Sequence, residues 1–201
     1  VYYYLTDPDT EYTASTNRTL VKADANTGEI VAKSAEFAGG GQLLPQIAAG
    51  GGKIYIFGLE TDGSRIYAFD QGDMSLSFKT AVISGRQIES PILYYDGYVY
   101  AGVYGGSKEK PAQFACFDAT KDSDGELAPT WTYSETVYHN RGGYLWSGPT
   151  IVGEAIVFTN TNGYITSLNR KTGEMIDTYL IPEDFQGGEQ LTTTPYYYEK
   201  N

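Results

Sequence analysis

Few side chains in this sequence stand where they could do chemistry. It holds one cysteine, Cys116, and one histidine, His139. A thiol nucleophile needs a base beside it, and no spacing here brings Cys116 and His139 together. Cys116 lies at the centre of an alternating apolar run, where a free thiol packs as a small hydrophobe. One cysteine also leaves no intramolecular disulfide. A carboxylate recurs at Asp24, Asp70 and Asp118, with Asn169 in the fourth place. Recurrence argues for a turn rather than a catalytic acid, because Asp and Asn side chains equally accept backbone N–H groups two residues on. Asp118, Asp122 and Asp124 with Gly125 have the outline of a Ca²⁺ loop. The register of such a loop wants a carboxylate where Thr120 stands and a Glu where Trp131 stands. The segment is therefore read as a polar hairpin tip with no metal assigned, and cation binding at Asp122–Asp124 is left open.

The stretch Tyr138–Trp146 offers binding rather than catalysis. It gathers His139, Arg141, Tyr144 and Trp146 around Gly142 and Gly143. Tyr, Trp and Arg dominate binding hot spots, and aromatic rings also stack on sugars. These four residues are the expected ligand or partner surface. The competing reading wedges Tyr144 and Trp146 into the core, where large aromatic groups are usually consumed. No Ser/His/Asp or paired-carboxylate constellation follows from spacing, so no catalytic residue and no cofactor are assigned.

The elements that must carry these residues repeat. Pro45, Pro91, Pro149 and Pro195 are spaced by 46, 58 and 46 residues. After each of the first three come a glycine-bearing turn and an apolar strand: Ile54–Phe57, Val99–Ala101, Ile156–Phe158. A third strand aligns without gaps as Leu20–Asp24, Ile66–Asp70, Phe114–Asp118 and Ile165–Asn169. It runs into a tight turn, Asn26-Thr27-Gly28-Glu29 or Lys171-Thr172-Gly173-Glu174, and then an outer strand. A period of this length built from short strands predicts β-propeller blades, each of four antiparallel strands. Two insertions interrupt it, Tyr104–Pro111 and Lys121–Pro129. Trp131 is placed in an insertion and Trp146 just before a first strand.

Composition agrees. The 201 residues include 19 Tyr and 24 Gly, which suits an all-β chain with many turns. No apolar run approaches the roughly 18 residues of a membrane helix. The net charge of −11 argues against nucleic acid and against docking on an anionic membrane.

Ser90-Pro91, Asp96-Gly97-Tyr98-Val99-Tyr100, a strand ending in Asp and then Thr-Gly-Glu together resemble the quinoprotein-like (PQQ-like) propeller repeat. The resemblance covers nearly the whole chain. It implies a fold shared by quinone-dependent alcohol dehydrogenases and by non-enzymatic relatives such as an outer-membrane assembly lipoprotein. In the enzymes a tryptophan and an adjacent cysteine pair bind the quinone, and Glu, Asn and Asp hold Ca²⁺. This chain has no adjacent cysteines, so no residue carries over as a quinone or calcium ligand.

The expectation is an all-β propeller of about four four-stranded blades, as a partial or closed ring. Residues 1–201 form one propeller region with blades near 1–34, 45–80, 91–134 and 149–180. Residues 191–201 supply the first strand of a shared or closing blade that pairs with Val1–Leu5, within one chain or between two. The start, Val1-Tyr2-Tyr3-Tyr4, reads as part of something longer. Function is read as a non-catalytic binding or scaffold module of a secreted or cell-surface bacterial protein. Its partner is a protein or a carbohydrate, with pairing to further blades or a second copy. The alternative is a fragment of a quinone-dependent dehydrogenase.

Overall fold

The computed structural model describes residues 2–5, 17–39, 47–86, 88–105, 110–121, 125–134, 142–182 and 191–198. These residues contain no helix. Sheet 1 has the order β1-β3-β4, from β1 (Tyr2–Leu5), β3 (Leu20–Ala23) and β4 (Ile30–Lys33). A short ladder beside it joins β2 (Asn17–Arg18) to β5 (Phe37–Ala38). Sheet 2 runs through β6 (Ala48–Gly50), β7 (Lys53–Glu60), β8 (Gly63–Asp70) and β9 (Leu76–Thr80). Sheet 3 runs through β10 (Leu93–Tyr95), β11 (Tyr98–Gly102), β12 (Gln113–Asp118) and β14 (Trp131–Ser134). Sheet 4 runs through β15 (Thr150–Val152), β16 (Ala155–Thr159), β17 (Tyr164–Asn169) and β18 (Met175–Leu180). Neighbouring strands within each of these meanders are antiparallel. Among the described residues no sheet closes on itself.

Alternation along the strands sends successive side chains to opposite faces. In sheet 3 one face packs on sheet 2 through Val99, Ala101, Ala115 and Phe117. The other packs on sheet 4 through Tyr100, Phe114, Cys116 and Trp131. The second and third strands are the most buried, as their unbroken apolar runs predict, while β18 is exposed along its whole length. Phe114 stacks on Phe158 with ring centroids 4.1 Å apart. Burying aromatic pairs of this kind between sheets supplies the main apolar driving force, at roughly 25 cal/mol per Å².

Three expectations change. Trp131 does not lie in an insertion; it opens β14, is buried, and its indole N–H donates to the Arg170 carbonyl at 3.1 Å. Gly173 makes room for that ring. It sits at φ 74°, and a Cβ there would stand 2.7 Å from the indole. The insertion Lys121–Pro129 is more than a solvated hairpin tip, because its β13 (Glu126–Leu127) pairs in parallel with β9 and adds a fifth strand to sheet 2. Leu127 is buried there, and its carbonyl accepts from Ala81 N–H. Residues 122–124 themselves lie outside the described residues. Last, residues 195–198 form no strand, and among the described residues no ladder joins them to β1 in the same chain. Instead Thr193 and Thr194 bond to sheet 4. Ser147 Oγ donates to Thr193 O at 3.0 Å, and Gly148 N–H donates to Thr194 Oγ1 at 2.9 Å.

Candidate binding face

Antiparallel meanders put alternate connections at opposite ends of the sheets. The described residues of the β7–β8, β11–β12 and β16–β17 connections share one end with those of the links between sheets, 81–86, 88–92 and 142–149. The recurring Asp turns lie at the other end. There the turn reading holds atom by atom. Asp24 Oδ1 accepts from Asn26 and Thr27 N–H, and Asp70 Oδ1 from Gly72 and Asp73. Asp118 Oδ1 accepts from Thr120, and Asn169 Oδ1 from Lys171 and Thr172. The Thr120 hydroxyl is the main cause that holds the Asp118 carboxyl below its usual value; burial opposes it, and the Thr120 backbone N–H and Lys121 add to the lowering.

The link into sheet 4 carries the expected binding residues, and the structure gives Tyr144 and Trp146 different surroundings. His139 and Arg141 lie outside the described residues. Tyr144 is fully buried, edge-on to Phe114 and Phe158 at 5.3 and 5.5 Å, so it is a wedge between sheets and touches no solvent. Gly102 admits it, since a Cβ there would stand 2.5 Å from the Tyr144 Cβ. Trp146 is 55% exposed. Its backbone has φ 58°, the left-handed region that disfavours a bulky residue by about 1–3 kcal/mol.

That conformation is held by its neighbours. Trp146 N–H donates to Glu89 O at 3.2 Å, and Leu145 bridges Glu89 in parallel. Ser147 N–H folds back to Leu145 O at 2.7 Å, and its hydroxyl lies 2.5 Å from Thr159 Oγ1. Thr161 bonds Gly143 twice, through its backbone N–H and its hydroxyl. Asn160 Oδ1 accepts from Asn162 and Tyr164 N–H and shapes this tip, whose residues 160–162 are buried. The sequence reading missed Thr159, Asn160 and Thr161. The tip's Asn-Thr-Asn-Gly composition signals a turn but not which loop the turn supports.

Two cationic nodes flank the core. Arg65, 5% exposed, bonds Asp62 at 2.6 Å, Glu126 at 2.7 Å and the Thr80 carbonyl at 3.0 Å. Its Nε lies 3.1 Å from Glu60 Oε2, close enough for ionic attraction but off the hydrogen-bonding angle. Burial pushes the Glu60 carboxyl up. The Tyr67 hydroxyl, the Lys79 ammonium and the Arg65 charge outweigh it and leave the group below its usual value. At the other end Arg170 pairs with Asp96 and Glu154 and lies 5.2 Å over the Tyr95 ring. Its carbonyl accepts from Tyr100, Cys116 and Trp131.

The quinone chemistry that the repeat brings to mind finds no fit among these residues. Cys116 is fully buried, burial pushes its thiol up to about 12, and its Sγ faces the Arg170 carbonyl. Trp131 is committed to the same carbonyl. Among the described residues no group of three or more His, Cys, Asp or Glu could hold a metal ion.

Among solved structures the chain is similar to BamB from Moraxella catarrhalis, at 21% identity and a TM-score of 0.55, over 80% of this chain and 46% of that one. The fold is that of the quinoprotein-like β-propellers. A europium-containing methanol dehydrogenase matches at 12% identity and a TM-score of 0.51, over 66% of this chain and 24% of the enzyme. The computationally designed Ika8 protein matches at 13% identity and a TM-score of 0.53, over 97% of this chain and 52% of that one. The chain thus spans about half or less of the structures it matches. No family model and no curated protein matches it.

Proposed function

We propose that this propeller segment is a non-catalytic binding or scaffold module of a bacterial envelope or surface protein, and that its binding face is the connection end around Trp146. The observation that carries the reading is the exposed Trp146, whose unfavourable backbone angle is held by its own N–H bond to Glu89 and by the bonds of Ser147 to Leu145 and Thr159. Strain maintained by the surroundings marks functional positions, and an aromatic side chain, with only two rotatable angles on a fixed backbone, loses little entropy on binding. His139 and Arg141 precede it in the same link and extend the proposed surface. The net charge of −11 favours neutral or cationic partners over polyanions. The likeness to BamB supports a protein partner and an envelope location; a carbohydrate is the other partner that a Trp platform fits.

Fluorescence tests this directly, because the two tryptophans differ. Trp131 is buried and Trp146 exposed, so acrylamide should quench Trp146 alone. Envelope glycans and immobilised envelope proteins should bind with a change in Trp146 emission, and Trp146→Ala should lose binding at least tenfold while its melting point stays within a degree or two. Binding untouched by that substitution would remove the site.

The second reading, a fragment of a quinone-dependent dehydrogenase, has the methanol dehydrogenase likeness in its favour. It is tested by adding pyrroloquinoline quinone and Ca²⁺ and following alcohol-dependent dye reduction. No turnover is expected from this chain. Stoichiometric quinone binding with turnover would overturn the non-catalytic reading.

A further inference from the structure

Sheet 3 departs from the other three sheets at one step. In sheets 1, 2 and 4 the third strand passes into the outer strand through the same closed turn. Asp24 N–H donates to Glu29 O and Gly28 N–H to Asp24 O. Asp70 and Met74 repeat the pattern with Ser75 and Asp70, and Asn169 and Gly173 with Glu174 and Asn169. Sheet 3 takes residues 119–130 over this step. It still reaches β14, with Thr130 N–H on Cys116 O at 2.8 Å and Trp131 opposite Cys116. The excursion is therefore not needed to close the sheet. What it adds is β13, a strand of two residues laid along the outer edge of the neighbouring sheet. Sheets 1, 3 and 4 end on β4, β14 and β18, and among the described residues no strand is added outside them.

The edge of β9 fits its occupant in three ways. Backbone meets backbone where Ala81 N–H donates to Leu127 O at 2.9 Å, with Glu126 and Leu127 opposite Lys79 and Thr80. Charge meets charge where Glu126 Oε1 lies 2.7 Å from Arg65 Nη1 and 3.7 Å from Lys79 Nζ. Leu127 is buried in the apolar cluster that holds Phe78, Phe117 and Ala119. These are the parts of strand addition to a sheet edge, where backbone bonds supply affinity and sites for alternate side chains supply selectivity. The occupant can also leave without stranding a buried cation. Arg65 keeps Asp62 at 2.6 Å, Glu60 at 3.1 Å and the Thr80 carbonyl at 3.0 Å. Glu126 is half-exposed, so water takes over part of its pairing on release.

We propose that the outer edge of β9 is a binding site for an extended peptide bearing an acidic residue followed by an apolar one, and that β13 is the chain's own cover for that site. The peptide runs parallel to β9. Its acidic side chain pairs with Arg65 and Lys79, and its apolar side chain fills the place of Leu127. Charge complementarity selects this occupant, because two cations converge on the one position that Glu126 holds. A bare sheet edge accepts strands of many sequences. A cover of two residues, held by a half-exposed carboxylate, restricts entry to a strand that matches the edge better. The site lies on sheet 2 and makes no use of Trp146, so it is separate from the binding face proposed above.

Hydrogen exchange on the unmodified chain reads the cover directly. Ala81 N–H depends on β13, whereas Ile83 N–H donates to Ser64 O within sheet 2. Opening of the cover should leave Ala81 about tenfold or more less protected than Ile83, at a rate that low urea does not change. Equal protection of the two would make β13 a permanent strand and overturn the proposal. Binding is read by fluorescence anisotropy with a labelled peptide of residues 125–130, Gly-Glu-Leu-Ala-Pro-Thr. In the uncovered variant, residues 121–128 are replaced by the Thr-Gly-Glu of residues 172–174. It should bind the peptide about tenfold or more tightly than the unmodified chain does, because its site is not occupied in advance. A peptide with Lys in place of the Glu should not bind. The full chain carrying Leu127→Asp, which cannot bury its new charge, should behave like the uncovered variant and replaces it if the shortened chain does not fold. An uncovered, folded variant that ignores the peptide, takes the Lys peptide equally well, or dimerises through the bare edge instead would refute the site.

Discussion

At the scale of single residues, this protein uses polar side chains to shape backbone more than to do chemistry. Asp118 is the example: its Oδ1 accepts from the Thr120 backbone and hydroxyl, while Lys121 stands 3.7 Å away. Asn169 performs the same turn in sheet 4 with no charge. Asp118→Asn should therefore be nearly neutral at pH 7, while Asp118→Ala should cost about 1 kcal/mol in urea unfolding. Acid should discriminate further. The folded carboxyl titrates below its ordinary value of 3.8. Its stabilising contribution is full above that value and is lost as the pH falls through the lower folded one. The parent should then lose more stability than Asp118→Asn between pH 5 and about pH 2. Equal losses would show that the charge of Asp118 is irrelevant.

At the scale of elements, the inserted strand β13 is the finding with the largest energetic consequence. It brings Glu126 onto the buried Arg65 guanidinium, which also serves Glu60, Asp62 and the Thr80 carbonyl. A buried cation needs its counter-charges, and removing one side of such a cluster is expensive. Asp62 and Glu126 are half-exposed, and water can replace part of what they lose. Arg65→Ala should therefore destabilise by about 2 kcal/mol, less than a fully buried pair would. It should also raise the Glu60 titration toward its ordinary 4.5, seen as a shift in the carboxyl resonance. An unmoved Glu60 would mean that Tyr67 and Lys79 hold it alone.

At the scale of the whole molecule, acid acts in two opposed directions. Protonating Glu60 and Asp118 removes stabilising interactions within one chain. Protonating the carboxylates generally relieves the self-repulsion of a chain that carries −11. The chain should be least stable to urea in acid, whereas at neutral pH its stability should rise as added salt screens that repulsion. Urea unfolding at low and high salt, both at pH 7, reads the second effect without the first. Lower stability at high salt would give the larger share to specific ion pairs such as those of Arg65.

Much of the architecture was written in the chain. The 46-residue spacing of its prolines, the apolar alternation of Ile66–Asp70 and Phe114–Asp118, and the Asp or Asn before each turn are local signals. Period and turn chemistry act over a few residues, so they survive reading in one dimension. They pointed to an all-β chain of antiparallel sheets and to the turn role of Asp24, Asp70, Asp118 and Asn169. The candidate site was legible only as a stretch. Tyr144 and Trp146 lie two residues apart with similar chemistry, and nothing local says that Gly102 and the Phe114–Phe158 pair leave a slot for one while Glu89 and Thr159 hold the other beside solvent. The placement of β13 on sheet 2, the Trp131 contact with the Arg170 carbonyl and the docking of Thr193 beside Ser147 are likewise contacts between segments distant along the chain. Only the packed sheets decide them, because what each side chain gains depends on which neighbour excludes water from it.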